Sequence, residues 1–130
     1  MDDIIEVIKN LKNLRHVKAA SQTAIEAAEK SLGLTFAPDY KQYVLTYGAI
    51  NAQGFEFTGL NVSAYINVVD VTLEERERED IPATYYVLEN TGIDGILILQ
   101  NSEGQIFEYY NGDINLIAGS IAEYIMLNQD

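Results

Sequence analysis

Cysteine is absent from the 130 residues, and histidine occurs once, as His16. Disulfides and thiolate metal sites are thereby excluded, and a zinc centre would need carboxylates almost alone. His16 stands among Asn13, Arg15 and Lys18. That setting reads as a solvated helix end rather than a general-base site. No Gly-x-Ser-x-Gly elbow surrounds Ser120, and no glycine loop of the phosphate-binding kind is present. Asn111, Asp113 and Asn115 match the start of a calcium loop, but Leu116 stands where its glycine belongs and Ala122 where its bidentate glutamate belongs. We read that stretch as a turn. Asn61-Val62-Ser63 fits a glycosylation sequon, which matters only on an exported chain. Acids are numerous enough for a general acid–base pair, yet no pair stands apart from the rest. The residues therefore point away from catalysis, with no cofactor or metal implied.

What remains is charge. The net charge is −12, and it is one-sided. Residues 1–50 carry six acids and six bases, whereas residues 51–130 carry fourteen acids against Arg76 and Arg78. Such a field repels nucleic acid and attracts basic partners; it also serves plain solubility. The N-terminus, Met1-Asp2-Asp3-Ile4-Ile5-Glu6, has acids where a signal peptide needs Lys or Arg, and the run Ile96 to Leu99 is far too short to span a membrane. A cytosolic protein without membrane contact is the expectation.

The chain's length suits one domain able to bury a core without staples. Ile4, Ile5, Ile8 and Leu11 recur at helical spacing, with Asp2 or Asp3 as N-cap. Thr23-Ala24-Ile25-Glu26 has the form of a capping box opening a second helix, with Ile25, Ala27, Ala28 and Leu32 apolar and Gly33 ending it. Pro38 opens a third, in which Tyr40, Tyr43, Val44 and Tyr47 share a face and Gly48 follows. Alternation then predicts strands at Phe55–Thr58 and Tyr65–Val69. Thr72-Leu73-Glu74-Glu75 predicts the start of a short charged helix stopped by Ile81-Pro82. Strands are expected at Thr84–Glu89, Gly95–Gln100 and Gln105–Tyr110, joined by Thr91-Gly92 and Asn101 to Gly104, with Asn111-Gly112 after the last. Short connections imply antiparallel pairing. Ser120-Ile121-Ala122-Glu123 opens a closing helix. The expected architecture is an α+β domain over residues 1–130, a mostly antiparallel meander with N-terminal helices and a C-terminal helix.

Two candidate partner-binding surfaces follow. The first is the run Glu74-Glu75-Arg76-Glu77-Arg78-Glu79-Asp80, with Glu74 and Arg78 spaced to pair along a helix. It reads either as a solvated helix face or as a docking surface in which Glu74, Glu75 and Glu77 meet a basic partner. The second is a sheet face. If Phe55 and Phe57 point inward, Glu56 and Thr58 point outward. If Tyr86 and Leu88 face the core with Phe107 and Tyr109, then Tyr85, Glu89, Glu108 and Tyr110 share the other side. Tyrosines with carboxylates make a contact area that steers cations. The competing reading is that a helix covers that side.

Glu29 before Leu32-Gly33-Leu34, then Phe36-Ala37-Pro38-Asp39-Tyr40, then Tyr43 to Tyr47 with Gly48, resembles the signature of the SUKH superfamily. There a helix ends in Leu-Gly, a Leu-Pro-x-x-Tyr-like step opens the next, and an Asn-Gly pair often ends it. Here Phe36-Ala37 replaces the Leu before Pro38, and Tyr47 stands where Asn is common. Ile117 to Ile125 resembles the family's closing helix, so the likeness runs from Ile25 to Ile125. The resemblance implies an α+β fold and a non-enzymatic role. Many bacterial members are immunity proteins that neutralise a cognate polymorphic toxin, often an RNase or DNase; fungal members regulate cell-wall synthesis as interaction proteins. It implies here an antitoxin whose acids occupy the phosphate site of a basic nuclease domain, or else a regulatory interaction module. It carries no binding role onto Pro38, Tyr40 or Gly48.

Overall fold

Four helix starts are fixed by short polar side chains. In the computed structural model, which describes residues 3–129, the Asp3 carboxylate accepts from the Ile5 amide and starts α1 (Ile4–Lys9). Asp2, the alternative cap, lies outside the described residues. Ser21 caps α2 (Gln22–Leu32) by accepting from the Ala24 amide at 3.1 Å. The expected capping box at Thr23 is thus corrected: Thr23 lies inside the helix, and the serine two residues earlier does the capping. Ala27, expected on the apolar side, is exposed. Ser120 caps α5 (Ile121–Leu127) through the Glu123 amide, and Glu123 in turn accepts from the Gly119 amide. Gly33, at φ 68°, closes α2, and Pro38 opens α3 (Pro38–Tyr47), both as expected.

Two antiparallel sheets follow. The smaller orders β1 (Arg15–His16), β2 (Ile50–Ala52) and β3 (Phe55–Glu56), with Gln53-Gly54 as a two-residue turn at φ 49° and 88°. His16 is therefore in a strand, not at a helix end. The larger orders β4 (Tyr85–Asn90), β5 (Leu97–Asn101), β6 (Ile106–Tyr110) and β7 (Asp113–Ala118). The predicted meander stands, with one strand added. Asn111-Gly112 is a two-residue hairpin turn, and the Asp113-to-Ala118 stretch, read as a turn, pairs with β6 from Tyr110↔Asp113 to Ile106↔Ala118.

The middle of the chain departs most from expectation. Tyr65–Val69 is not a strand. Asn67 accepts from the Val69 amide and starts α4 (Val68–Glu79) five residues before the predicted start at Thr72–Leu73. Thr72 does not cap. It is buried within α4, where its Oγ1 accepts from the Val87 amide of β4 at 3.0 Å. The helix ends at Asp80 in the left-handed region, φ 58°. Thr58, expected outward, is buried as well.

Most of the core lies between α1, α2, α3, α5 and one face of the larger sheet. Phe36, Tyr40, Tyr43 and Tyr86 pack as tilted and edge-to-face rings with centroids 4.8–5.5 Å apart. Every buried hydroxyl among them is partnered. Tyr43 donates to the Thr58 carbonyl at 2.9 Å and accepts from the Ile50 amide at 3.1 Å. Thr58 Oγ1 donates to the Val87 carbonyl, so Tyr40 is the donor in its 2.9 Å bond to Thr58. Gly48 and Gly59 let two backbone segments meet here: a Cβ on Gly59 would sit 1.9 Å from the Gly48 carbonyl oxygen. Tyr43→Phe would leave the buried Ile50 amide without an acceptor. Urea denaturation should show it less stable by about 1–3 kcal/mol, the cost of an unsatisfied buried group; an unchanged midpoint would contradict this account.

Candidate functional site

Cross-strand partners fix which residues share a face of the larger sheet. Glu89, Ile98, Glu108 and Asn115 form one row across β4 to β7. Val87, Leu99, Phe107 and Leu116 form another, on the opposite face, with Leu97, Tyr109 and Ile114 beside them. Tyr86 and Leu88 belong to the main core, whereas Phe107 and Tyr109 belong to the second cluster with Val87, Leu97 and Leu99. The expected pairing of Tyr86 and Leu88 with Phe107 and Tyr109 is therefore corrected. Of the expected common face, Glu89, Glu108 and Tyr110 do lie on one side of the sheet, and Tyr85 alone departs. Tyr85 lies on the second face, its ring edge-on to Phe107 at 5.1 Å. The physical reason is a bulge: the register shifts between Val87 and Glu89, so strict alternation fails across Leu88.

The acids divide by burial. Glu89 is 6% exposed and Glu75 is 2% exposed, so neither is displayed on the free surface. Glu89 accepts from the Glu56 amide and from the Tyr124 hydroxyl, both at 2.9 Å, and so ties β3 and α5 to β4. Burial pushes its carboxyl above the ordinary carboxylate range; the two donors pull it down, and the neighbouring Glu56 adds to the rise. Burial and the Glu89 charge raise the Tyr124 hydroxyl in turn. Glu56 and Glu108 are half-buried on this side, and Tyr110 is exposed at the end of β6.

Helix α4 presents the other candidate. Glu75 faces inward and pairs with Arg78, three residues on, in place of the expected Glu74–Arg78 pair. Arg76 is spent on main chain, donating to the Leu32, Ala83 and Tyr85 carbonyls. Asp70, Leu73, Glu74 and Glu77 remain exposed along the outer face at helical spacing. Asp70 was missed by sequence reasoning, because the helix was started too late; the Asn67 cap was the available signal. The structure thus brings Glu74 and Glu77 together on α4, gathers Glu56, Glu89, Glu108 and Tyr110 on the α5 side of the sheet, and sends Tyr85 to the opposite face.

A family model described as SUKH_5, SMI1-KNR4 cell-wall, matches residues 1–127. The chain belongs to the SUKH_5 family. No curated protein matches the sequence. Among the described residues of this SUKH_5 chain, no three His, Asp or Glu converge as a metal site, and no helix is long and apolar enough to cross a membrane.

The Glu89 contact gives the SUKH_5 fold a pH dependence of known sign. A carboxyl raised in the folded state binds its proton more tightly there than in the unfolded chain, so its contribution to stability is full below the unfolded value and lost as pH rises through the folded one. Denaturation across the acid-to-neutral range should show wild type losing stability relative to Glu89→Gln as pH rises. Parallel curves for the two proteins would refute the assignment.

Proposed function

We propose that this SUKH_5 protein is a cytosolic immunity protein, which binds a cognate toxin domain of basic charge and blocks its active site without performing chemistry. The observation that carries the reading is an acidic field with its own cations used up. Fourteen acids in residues 51–130 face two arginines. Arg76 is bound to three carbonyls and Arg78 to Glu75. The outward acids of α4, Asp70, Glu74 and Glu77, have no hydrogen-bonded partner among the described residues. Their field would speed encounter with a cationic protein and suit the phosphate-binding cleft of a nuclease. Glu56, Glu108 and Tyr110, on the α5 side, form the rival patch. The cell-wall association in the family's description favours a second reading, a regulatory interaction module of the cell-wall type. A toxin gene beside this one separates the two.

Co-expression with the toxin domain encoded next to the gene should restore growth and yield a stable complex on a sizing column; continued killing with no complex would defeat the reading. Within such a complex, Glu74→Lys with Glu77→Lys should weaken binding about tenfold or more at low salt, and much less near 1 M salt, where the Debye length is about 3 Å. The same reversals at Glu56 and Glu108 should have the smaller effect. Affinity that ignores the α4 reversals at low salt would remove α4 from the interface.

A further inference from the structure

The second face of the larger sheet is only partly roofed. Its cluster contains six buried residues, of which Val71 and Ile81 alone come from outside the sheet. Helix α4 lies against β4, and in its last turn Glu79 accepts the Tyr109 hydroxyl of β6 at 2.8 Å. Beyond it, Tyr85, Phe107 and Ile114 are half-buried, and Leu116, opposite Phe107, is 58% exposed. This apolar strip runs out to β7, an edge strand whose only strand partner among the described residues is β6 and which α5 also contacts. The outer edge of β7 leaves its backbone groups without a strand to pair with.

Edge strands of soluble proteins are usually blunted by lysine, proline, a bulge or a cover. Here Asp113-Ile114-Asn115-Leu116 has no lysine and no proline, and the one bulge in the β6–β7 pairing falls after it, at Ile117. Acids flank the strip. Glu79 and Asp80 lie by Tyr109, Asp113 begins β7, and Glu103 lines a hollow of about 490 Å³ beside Tyr85. Two copies of a chain of charge −12 repel each other, so the charge selects against self-pairing and for a cationic strand.

We infer that β7 is a docking edge: an extended, basic segment of a partner protein adds to it as a further strand, its alternate side chains lying on Ile114 and Leu116 of β7. The main-chain ladder supplies affinity, and the acidic rim selects Lys or Arg at the outward positions. The inference rests on the toxin-binding reading in naming the partner's charge, and it adds where and in what conformation the partner binds.

The test uses the intact protein and a pool of peptides of about nine residues, long enough to span β7 and its flanks. Lys or Arg alternates in them with Val, Ile, Thr, Tyr or Phe; a matched pool carries Glu in place of the bases. The basic pool should slow amide exchange along Asp113–Leu116, and the acidic pool should not. Leu116→Lys, a change at an exposed position, should weaken binding about tenfold or more, the loss expected when an apolar contact becomes a like charge. Glu26→Gln on α2, an equal change of charge, should leave it within about twofold. No protection along β7, equal protection by both pools, or full binding by Leu116→Lys would overturn the inference. So would concentration-dependent protection of β7 in the protein alone, which would make a second copy the occupant. Each of these failures leaves toxin neutralisation intact, since growth rescue is read without reference to β7.

Discussion

The fold is organised by the need to satisfy three buried phenols. Tyr40, Tyr43 and Tyr86 supply most of the aromatic mass at the centre, and each brings a hydroxyl that water cannot reach. A buried hydroxyl without a partner costs more than a typical hydrogen bond returns. Their partners are therefore spread over the whole molecule. Tyr43 holds β2 and the segment after β3; Tyr40 holds Thr58, which holds β4. Tyr86 accepts from the Ala37 amide and donates to Gln100, and Gln100 donates to Asp39. The other Asp39 oxygen accepts from the Ile121 amide. One connected polar path thus joins the start of α3, the centre of the larger sheet and the start of α5. A polar network of this kind permits few alternative packings, because each displaced member strands its neighbours.

That framework explains what the sequence made legible. The helix carrying Tyr40, Tyr43, Val44 and Tyr47 was read correctly because all four signal one buried face at a single period. The antiparallel meander was legible from turn residues alone. Its faces were not. Alternation assigns a face within one strand, but not which face of the neighbour it meets, and the bulge at Leu88 broke alternation inside β4. Glu75 and Glu89 looked like surface acids because burial of a charge depends on partners distant in the chain: Arg78 for one, the Glu56 amide and Tyr124 for the other. Thr72 misled for a similar reason. Its pattern with Glu75 suits a cap, but the Val87 amide claims its hydroxyl.

The family likeness read from Leu32-Gly33 and Pro38 to Tyr40 agrees with the match over residues 1–127. Those residues build the polar and aromatic framework. The outer surfaces are held by that framework but not specified by it. The two regions have different physical demands, and only the first leaves a strong pattern in a single sequence.

Helix α4 makes that separation concrete. Its attachment runs through Val68, Val71, Thr72 and Arg76, which face the sheet or the main chain. Asp70, Leu73, Glu74 and Glu77 take no part in holding it. Substitution on that outer stripe carries almost no folding penalty, so four neighbouring side chains can be rewritten while the scaffold stays at constant stability. The outer stripe is thus free to vary faster than the attachment residues beneath it.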